Sequence, residues 1–155
     1  HTHMAVYETS KSAAYGLTYT PGVARQLLCD TVIVALETAM INNADDDVGL
    51  LWLPKGAVIE GVTVSVSDVD SGTAFIFDIG ISGTEELVLT NATTGQATGI
   101  NETNAQAAHL NKRKARKQLR MYVSTASGTP VAGTMKFSIR YFVDPEFSTT
   151  ALVAA

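Results

Sequence analysis

Cysteine is nearly absent: Cys29 is the only one in 155 residues. No disulfide can form within the chain, which excludes a disulfide-stapled secreted fold. Charge is also scarce, at 17% of residues, below the ~25% of an average domain. With 46% hydrophobic residues, disorder along the whole chain is excluded as well. No apolar run approaches the roughly 20 residues of a membrane span, and the N-terminus lacks the apolar core of a signal peptide. Histidine is rare too. His1-Thr2-His3 reads as a tag remnant ahead of a natural start at Met4, which leaves His109 as the native imidazole. There is then no histidine pair for zinc, and one cysteine cannot build a thiolate site. Nothing follows the G-x-S-x-G, P-loop or G-x-G-x-x-G patterns. These absences point to a protein that is not an enzyme and carries no metal or cofactor.

What is present favours strands. The chain is rich in Thr, Ser, Ala, Gly and Val, residues of pleated surfaces and turns. Its length fits one domain, which can bury about 70% of its unfolded surface. The formal net charge of −4 conceals an asymmetry. Six of the 11 basic residues lie between Lys112 and Arg120: Lys112, Arg113, Lys114, Arg116, Lys117 and Arg120. Elsewhere five basic residues face 15 acidic ones, a net of −10. An acidic body with one basic segment sets up a local field that attracts an acidic partner.

Residues 4–26 are polar, with Tyr7, Tyr15, Tyr19 and a Pro21-Gly22 turn, and read as an N-terminal arm. A domain is expected over 27–146, and 147–155 form a tail of small and apolar residues. Residues 31–41 read as a strand whose end, 36–40, could be helical. Residues 42–49 read as a turn and 50–53 as a short strand stopped by Pro54. Residues 57–67 alternate most clearly, with Val58, Glu60, Val62, Val64 and Val66 on one face and Ile59 and Gly61 on the other. The turn chemistry of Asp68-Val69-Asp70-Ser71-Gly72, followed by Phe75, Phe77 and Ile79 in alternation, makes residues 57–80 an expected hairpin. Residues 86–90 are strand-like, 91–117 read as a long loop with a possible short helix over 106–117, and 118–125 is a strand. The last strand, 133–143, places Met135, Phe137, Ile139 and Tyr141 on one face. About seven or eight strands with no helices between them imply an all-β antiparallel sandwich or jelly-roll-like barrel.

Few side chains suggest chemistry. Asp45-Asp46-Asp47 lacks the spacing of a calcium loop and reads as a solvated turn. Asp68 and Asp70 belong to the expected hairpin, and Asp78 points away from the apolar face. Cys29, beside Leu27 and Leu28, reads as a small buried hydrophobe. Trp52, between Leu51 and Leu53, suits core or subunit packing. Asn91-Ala92-Thr93 and Asn101-Glu102-Thr103 match the glycosylation pattern by chance. The basic segment is either a solvated flank, a dock for a protein partner, or a nucleic-acid patch. No aromatic residue is interleaved for base stacking, which argues against nucleic acid.

One set of segments is familiar in its order. Leu53-Pro54-Lys55-Gly56-Ala57-Val58-Ile59 leads into a Val-rich strand. Asp68-Val69-Asp70-Ser71-Gly72 and Phe75-Ile76-Phe77-Asp78-Ile79-Gly80 follow, then Gly95-Gln96-Ala97-Thr98-Gly99, the strand from Leu119 to Ser124, and a close running from Ala132 to Val143. This arrangement resembles small structural proteins of tailed bacteriophages encoded beside the major capsid protein, many of them head decoration or cement proteins. The resemblance spans about residues 31–143. It implies a non-enzymatic virion protein on the capsid exterior, made in the bacterial host cytoplasm. Its partners would be the major capsid protein and itself, as a homotrimer, with no membrane. Such a protein stabilises a shell by binding the assembled state alone. The alternatives are a tail, neck or head-fibre component, or a carbohydrate- or nucleic-acid-binding β-sandwich module.

Overall fold

The alternating residues from Met135 to Tyr141 sit at the centre of the fold. The computed structural model describes residues 5–8, 27–105 and 115–143. The elements are β1 (Val6–Glu8), β2 (Leu28–Leu36), the single helical turn α1 (Thr38–Ile41), β3 (Asp47–Leu53), β4 (Ala57–Ser67), β5 (Ile76–Ile81), β6 (Thr84–Ala92), β7 (Ile100–Ala105), β8 (Lys117–Thr125) and β9 (Gly133–Val143). A short 3-10 turn, Thr94–Gln96, precedes β7.

The strands form two sheets, β2-β9-β4-β7 and β1-β3-β8-β5-β6. Among the described strands only β1 runs parallel to its neighbour, β3. From β2 onward, β5 and β6 are the one consecutive pair that share a sheet as neighbours; every other connection crosses between layers. This is the topology of an eight-stranded jelly roll with β1 added at one edge. The inward residues of β9, Met135, Phe137, Ile139 and Tyr141, are fully buried. They meet Val62, Val64 and Val66 of β4 within their sheet and Leu119, Met121, Val123, Phe77 and Ile79 of the facing sheet in one core. Each such side chain contributes roughly 1.5–3 kcal/mol by leaving water. The rings of Phe75 and Phe77 lie 5.5 Å apart and stack within that core.

Several expectations need correction. Residues 57–80 are not a hairpin: β4 pairs with β7 and β9, while β5 pairs with β6 and β8. The connector must bridge sheets stacked ~10 Å apart, and residues 68–75 do so around a buried Asp70. The alternation of β4 is also interrupted. Ile59 pairs with Tyr141 and Gly61 with Arg140, so Glu60 is an extra, exposed bulge residue. The bulge turns Ile59 inward beside Val62 and leaves Val58 on the opposite face.

The expected 91–117 loop contains the end of β6 and all of β7. Little in the polar sequence of β7 marks a strand; its partner does. Thr63 Oγ1 donates to Asn104 Oδ1 at 2.6 Å and Ser65 Oγ donates to Glu102 Oε1 at 3.3 Å. The possible helix over 106–117 lies mostly outside the described residues, and Lys117 opens β8. Residues 36–41 divide between the end of β2 and α1.

The turn over 45–47 is solvated only at Asp45, which is exposed. Asp46 and Asp47 are each only 1% exposed, because this segment already pairs with β8: Asp45 N–H donates to Val123 O and Val123 N–H to Asp46 O. Cys29 is exposed rather than buried. Strand β2 turns Val32, Val34 and Leu36 inward, so Cys29, Thr31 and Ile33 share its outer face.

Candidate partner-docking surface

The two ends of the sandwich differ. At one end three loops converge on Asp70. Its carboxylate accepts hydrogen bonds from the N–H groups of Gly72, Ala74 and Phe75 at 3.1, 2.8 and 2.7 Å. It also accepts from Ser127 Oγ at 2.8 Å and Thr129 Oγ1 at 3.0 Å. Burial alone would raise its pKa. The donors from Phe75, Ser127, Ala74 and Thr129 together outweigh burial and hold it at about 2. Backbone bonds from Val69 to Gly95, Asp68 to Gly99, and Val131 to Val69 tie the same loops together. This end is a structural clamp.

The opposite end carries what remains of the basic segment. Lys112, Arg113, Lys114 and His109 lie outside the described residues. Arg116 sits with its guanidinium carbon 4.6 Å from the centre of the Trp52 ring, a cation–π contact. Trp52 is therefore on the outer face of the sheet, half-buried under Arg116, and not in the core. Lys117 is exposed. With Ile81 and Ser82 these residues line a groove of about 310 Å³.

Arg120 is used differently. Alternation along β8 places Leu119, Met121 and Val123 in the core and Gln118, Arg120 and Tyr122 on the outer face of the sheet. Across the sheet Arg120 stands between Gly49 and Gly80, and Tyr122 between Asp47 and Asp78. The Arg120 side chain is 18% exposed, with Nη1 3.6 Å from Asp47 Oδ2 and Nη2 donating to Gln118 Oε1. Burial, helped by the Asp47 charge and opposed by Arg120, raises the Tyr122 pKa well above that of a free phenol. Asp78 accepts from Asn91 N–H at 2.7 Å, where β6 bulges and Asn91 has a positive φ of 53°. This polar layer was missed in sequence. Its signal is the set of polar residues and glycines at outward positions of three strands, and only the cross-strand register joins them.

A larger cleft, about 720 Å³, opens on the outer face of the other sheet. Leu27, Glu60, Gly61, Asn104, Ala105, Arg140 and Phe142 line it. Arg140 lies over Gly61, where a Cβ would come within 2.8 Å of its Nη2, and its Nη1 donates to Thr63 Oγ1 at 3.2 Å. Among the described residues no three His, Cys, Asp or Glu side chains gather where they could hold a metal. No helix among them is long and apolar enough to cross a membrane.

No protein-family model matches the chain, and no curated protein matches it in sequence. Solved structures do share its fold. A chain of the capsid of Ralstonia phage GP4 superimposes with a TM-score of 0.70 at 22% identity, over 89% of this chain and 97% of that one. A chain of the cyanophage Pam1 capsid asymmetric unit gives 0.69 at 20% identity, over 84% and 95%. A chain of the acid-stable capsid of Helicobacter pylori bacteriophage KHP30 gives 0.57 at 16% identity, over 78% and 90%. At these identities the likeness is one of fold.

Proposed function

We propose that this chain is a non-enzymatic structural component of a phage virion, which decorates the capsid exterior as a homotrimer and stabilises the shell through contacts with the major capsid protein. One observation carries the reading: the jelly roll coincides with chains from three phage capsids over 90% or more of the length of those chains. The match thus spans nearly all of those chains and not one domain of a large one. The chemistry agrees with this role. Asp70 is spent on clamping loops and Arg120 on the outer polar layer, while Arg116 and Lys117 present positive charge at one end of an acidic body.

Binding only to the assembled shell would stabilise it by mass action, by about 2.7 kcal/mol per site at a free concentration 100 times Kd. Purified protein added to undecorated capsids is expected to bind to saturation and raise their melting temperature. Replacing Arg116 and Lys117 with glutamate is expected to weaken that binding at low salt, with less effect at high salt. A solution mass of three 16.4 kDa chains is expected from light scattering. Failure to bind any capsid surface would remove the decoration role.

A further inference from the structure

A sheet edge offers a row of backbone N–H and C=O groups to any strand that can lie beside it, and proteins usually blunt such edges. The two sheets end on β1, β6, β2 and β7. Strand β1 has only three residues. Strand β6 shifts register twice against β5 and carries Glu85 and Glu86. Strand β7 is short and polar, with Asn101, Glu102 and Asn104. Strand β2 differs. It runs nine residues in unbroken register with β9, and Asp30 is its one charged residue. Among the described residues no strand lies along its other edge.

Two hydrogen bonds fix which groups that edge presents. Thr134 N–H on β9 donates to Ser67 Oγ, on the β4 side. Successive N–H groups of a strand point in opposite directions, so Met135, Phe137, Ile139 and Tyr141 aim theirs at β2. Their partners there are Val34, Val32, Asp30 and Leu28. Cys29, Thr31, Ile33 and Ala35 therefore turn their N–H and C=O groups away from β9. The bond from Thr31 N–H to Asp30 Oδ1, at 2.9 Å, agrees. The side chains of Cys29, Ile33 and Ala35 are exposed, Ile33 at 66%.

We propose that this edge pairs antiparallel with β2 of a second copy of the chain, about a two-fold axis at Val32. In strand addition the main-chain bonds supply affinity and the alternate side chains supply specificity. Strand β2 is its own complement. Position 32 is its midpoint, so the axis matches the whole of Leu28–Leu36. Cys29 then stands opposite Ala35 of the second copy, and Thr31 opposite Ile33, which brings the outward groups of both strands together. On the inner side Leu28 meets Leu36, and Val32 meets Val32. Charge permits the match, because Asp30 meets Val34 and not its own twin. Only the bond from Thr31 to Asp30 has to open. Such a contact is isologous and two-fold. It cannot close the trimer proposed above, and joins a chain of one trimer to a chain of the next. It needs no shell, so the capsid reading and this one fail separately.

Cys29 and Ala35 provide the test. Along one strand they stand roughly 20 Å apart, beyond the reach of a disulfide. Across the axis they form a hydrogen-bonded pair with Cα atoms about 5.5 Å apart, within that reach. The full-length Ala35→Cys chain, mildly oxidised, is expected to give a two-chain band on a non-reducing gel, with Cys29 bonded to position 35 in the peptide map. The parent should give none, and neither should a chain with both Ala35→Cys and Cys29→Ser, since like positions lie roughly 20 Å apart across the axis. Adding Ile33→Pro to Ala35→Cys should abolish the band and leave the circular dichroism of the parent. Proline there removes an outward N–H and no bond to β9, and edge strands tolerate it. No two-chain band from a folded Ala35→Cys chain, an equal band from the parent, or a band that survives Ile33→Pro would overturn the inference. So would a folded Ala35→Cys chain that stays single while Ile33→Pro weakens binding to added capsids, which would give the edge to a strand of the shell.

Discussion

Replacing Asp70 with alanine is expected to lower the free energy of unfolding by about 3–5 kcal/mol, the range for breaking a buried charged network. The loss follows from the five donors that converge on this one carboxylate, three of them backbone N–H groups of the connector between β4 and β5. Alanine leaves Phe75 N–H and Ser127 Oγ buried without this acceptor, and the connector is what carries the chain between the layers. For a domain of this length the melting temperature should fall by on the order of 10 °C. Asparagine keeps the shape but turns an amide N–H₂ toward one set of donors, so Asp70→Asn should recover only part of the loss. The pH dependence has a definite sign. The folded pKa, about 2, lies below the 3.8 of an ordinary aspartate, so this stabilisation is present above about pH 4 and is lost as pH falls through about 2. Denaturant unfolding at several pH values should show that fall in the parent, and a smaller one in Asp70→Ala. A parent curve matching that of the alanine variant would contradict the role given to Asp70.

Gly80→Ala is expected to be nearly as damaging, by about 3 kcal/mol or more, at the upper end of overpacking costs. A Cβ there would lie 2.3 Å from Thr84 O and 2.5 Å from the Glu85 carbonyl carbon and oxygen. These are backbone atoms and cannot rotate away. Relief requires moving the start of β6 off β5, and Gly80 also flanks Arg120 in the outer polar layer. Gly128 is the control: a Cβ there meets nothing within 4 Å, and Gly128→Ala should change stability by less than about 0.5 kcal/mol. Equal effects at the two positions would show that β6 does not pack over Gly80 as described.

How much of this was legible beforehand depended on whether the signal was local. The period of two in β9 placed Met135 to Tyr141 in the core because nothing interrupts that strand. In β4 the same reasoning failed at Glu60, since a bulge is defined by the partner strand and not by its own residues. It failed again between β4 and β5. The turn chemistry around Asp70 was real, but the buried carboxylate serves a crossing between sheets, and no local pattern distinguishes that from a hairpin. Strand β7 was hidden because an edge strand that is polar on both faces resembles a loop. Cys29 was misplaced by the composition of its neighbours, where alternation along β2 decides. Of the basic segment, clustering in sequence was visible, but the fold gives its described members different surroundings. Arg120 faces Asp47, Arg116 covers Trp52, and Lys117 is exposed. The acidic and glycine residues that receive Arg120 come from other strands and could not be joined to it without the register.

The central claim is that this jelly roll is a capsid component on the shell exterior. A cryo-electron-microscopy reconstruction of the virion that encodes the chain tests it most directly. The expected result is density for the β2-β9-β4-β7 and β1-β3-β8-β5-β6 sheets repeated over the outer surface of the head, in numbers tied to the capsid lattice. Density confined to the tail, neck or a single vertex, or a particle that lacks the chain altogether, would contradict the account.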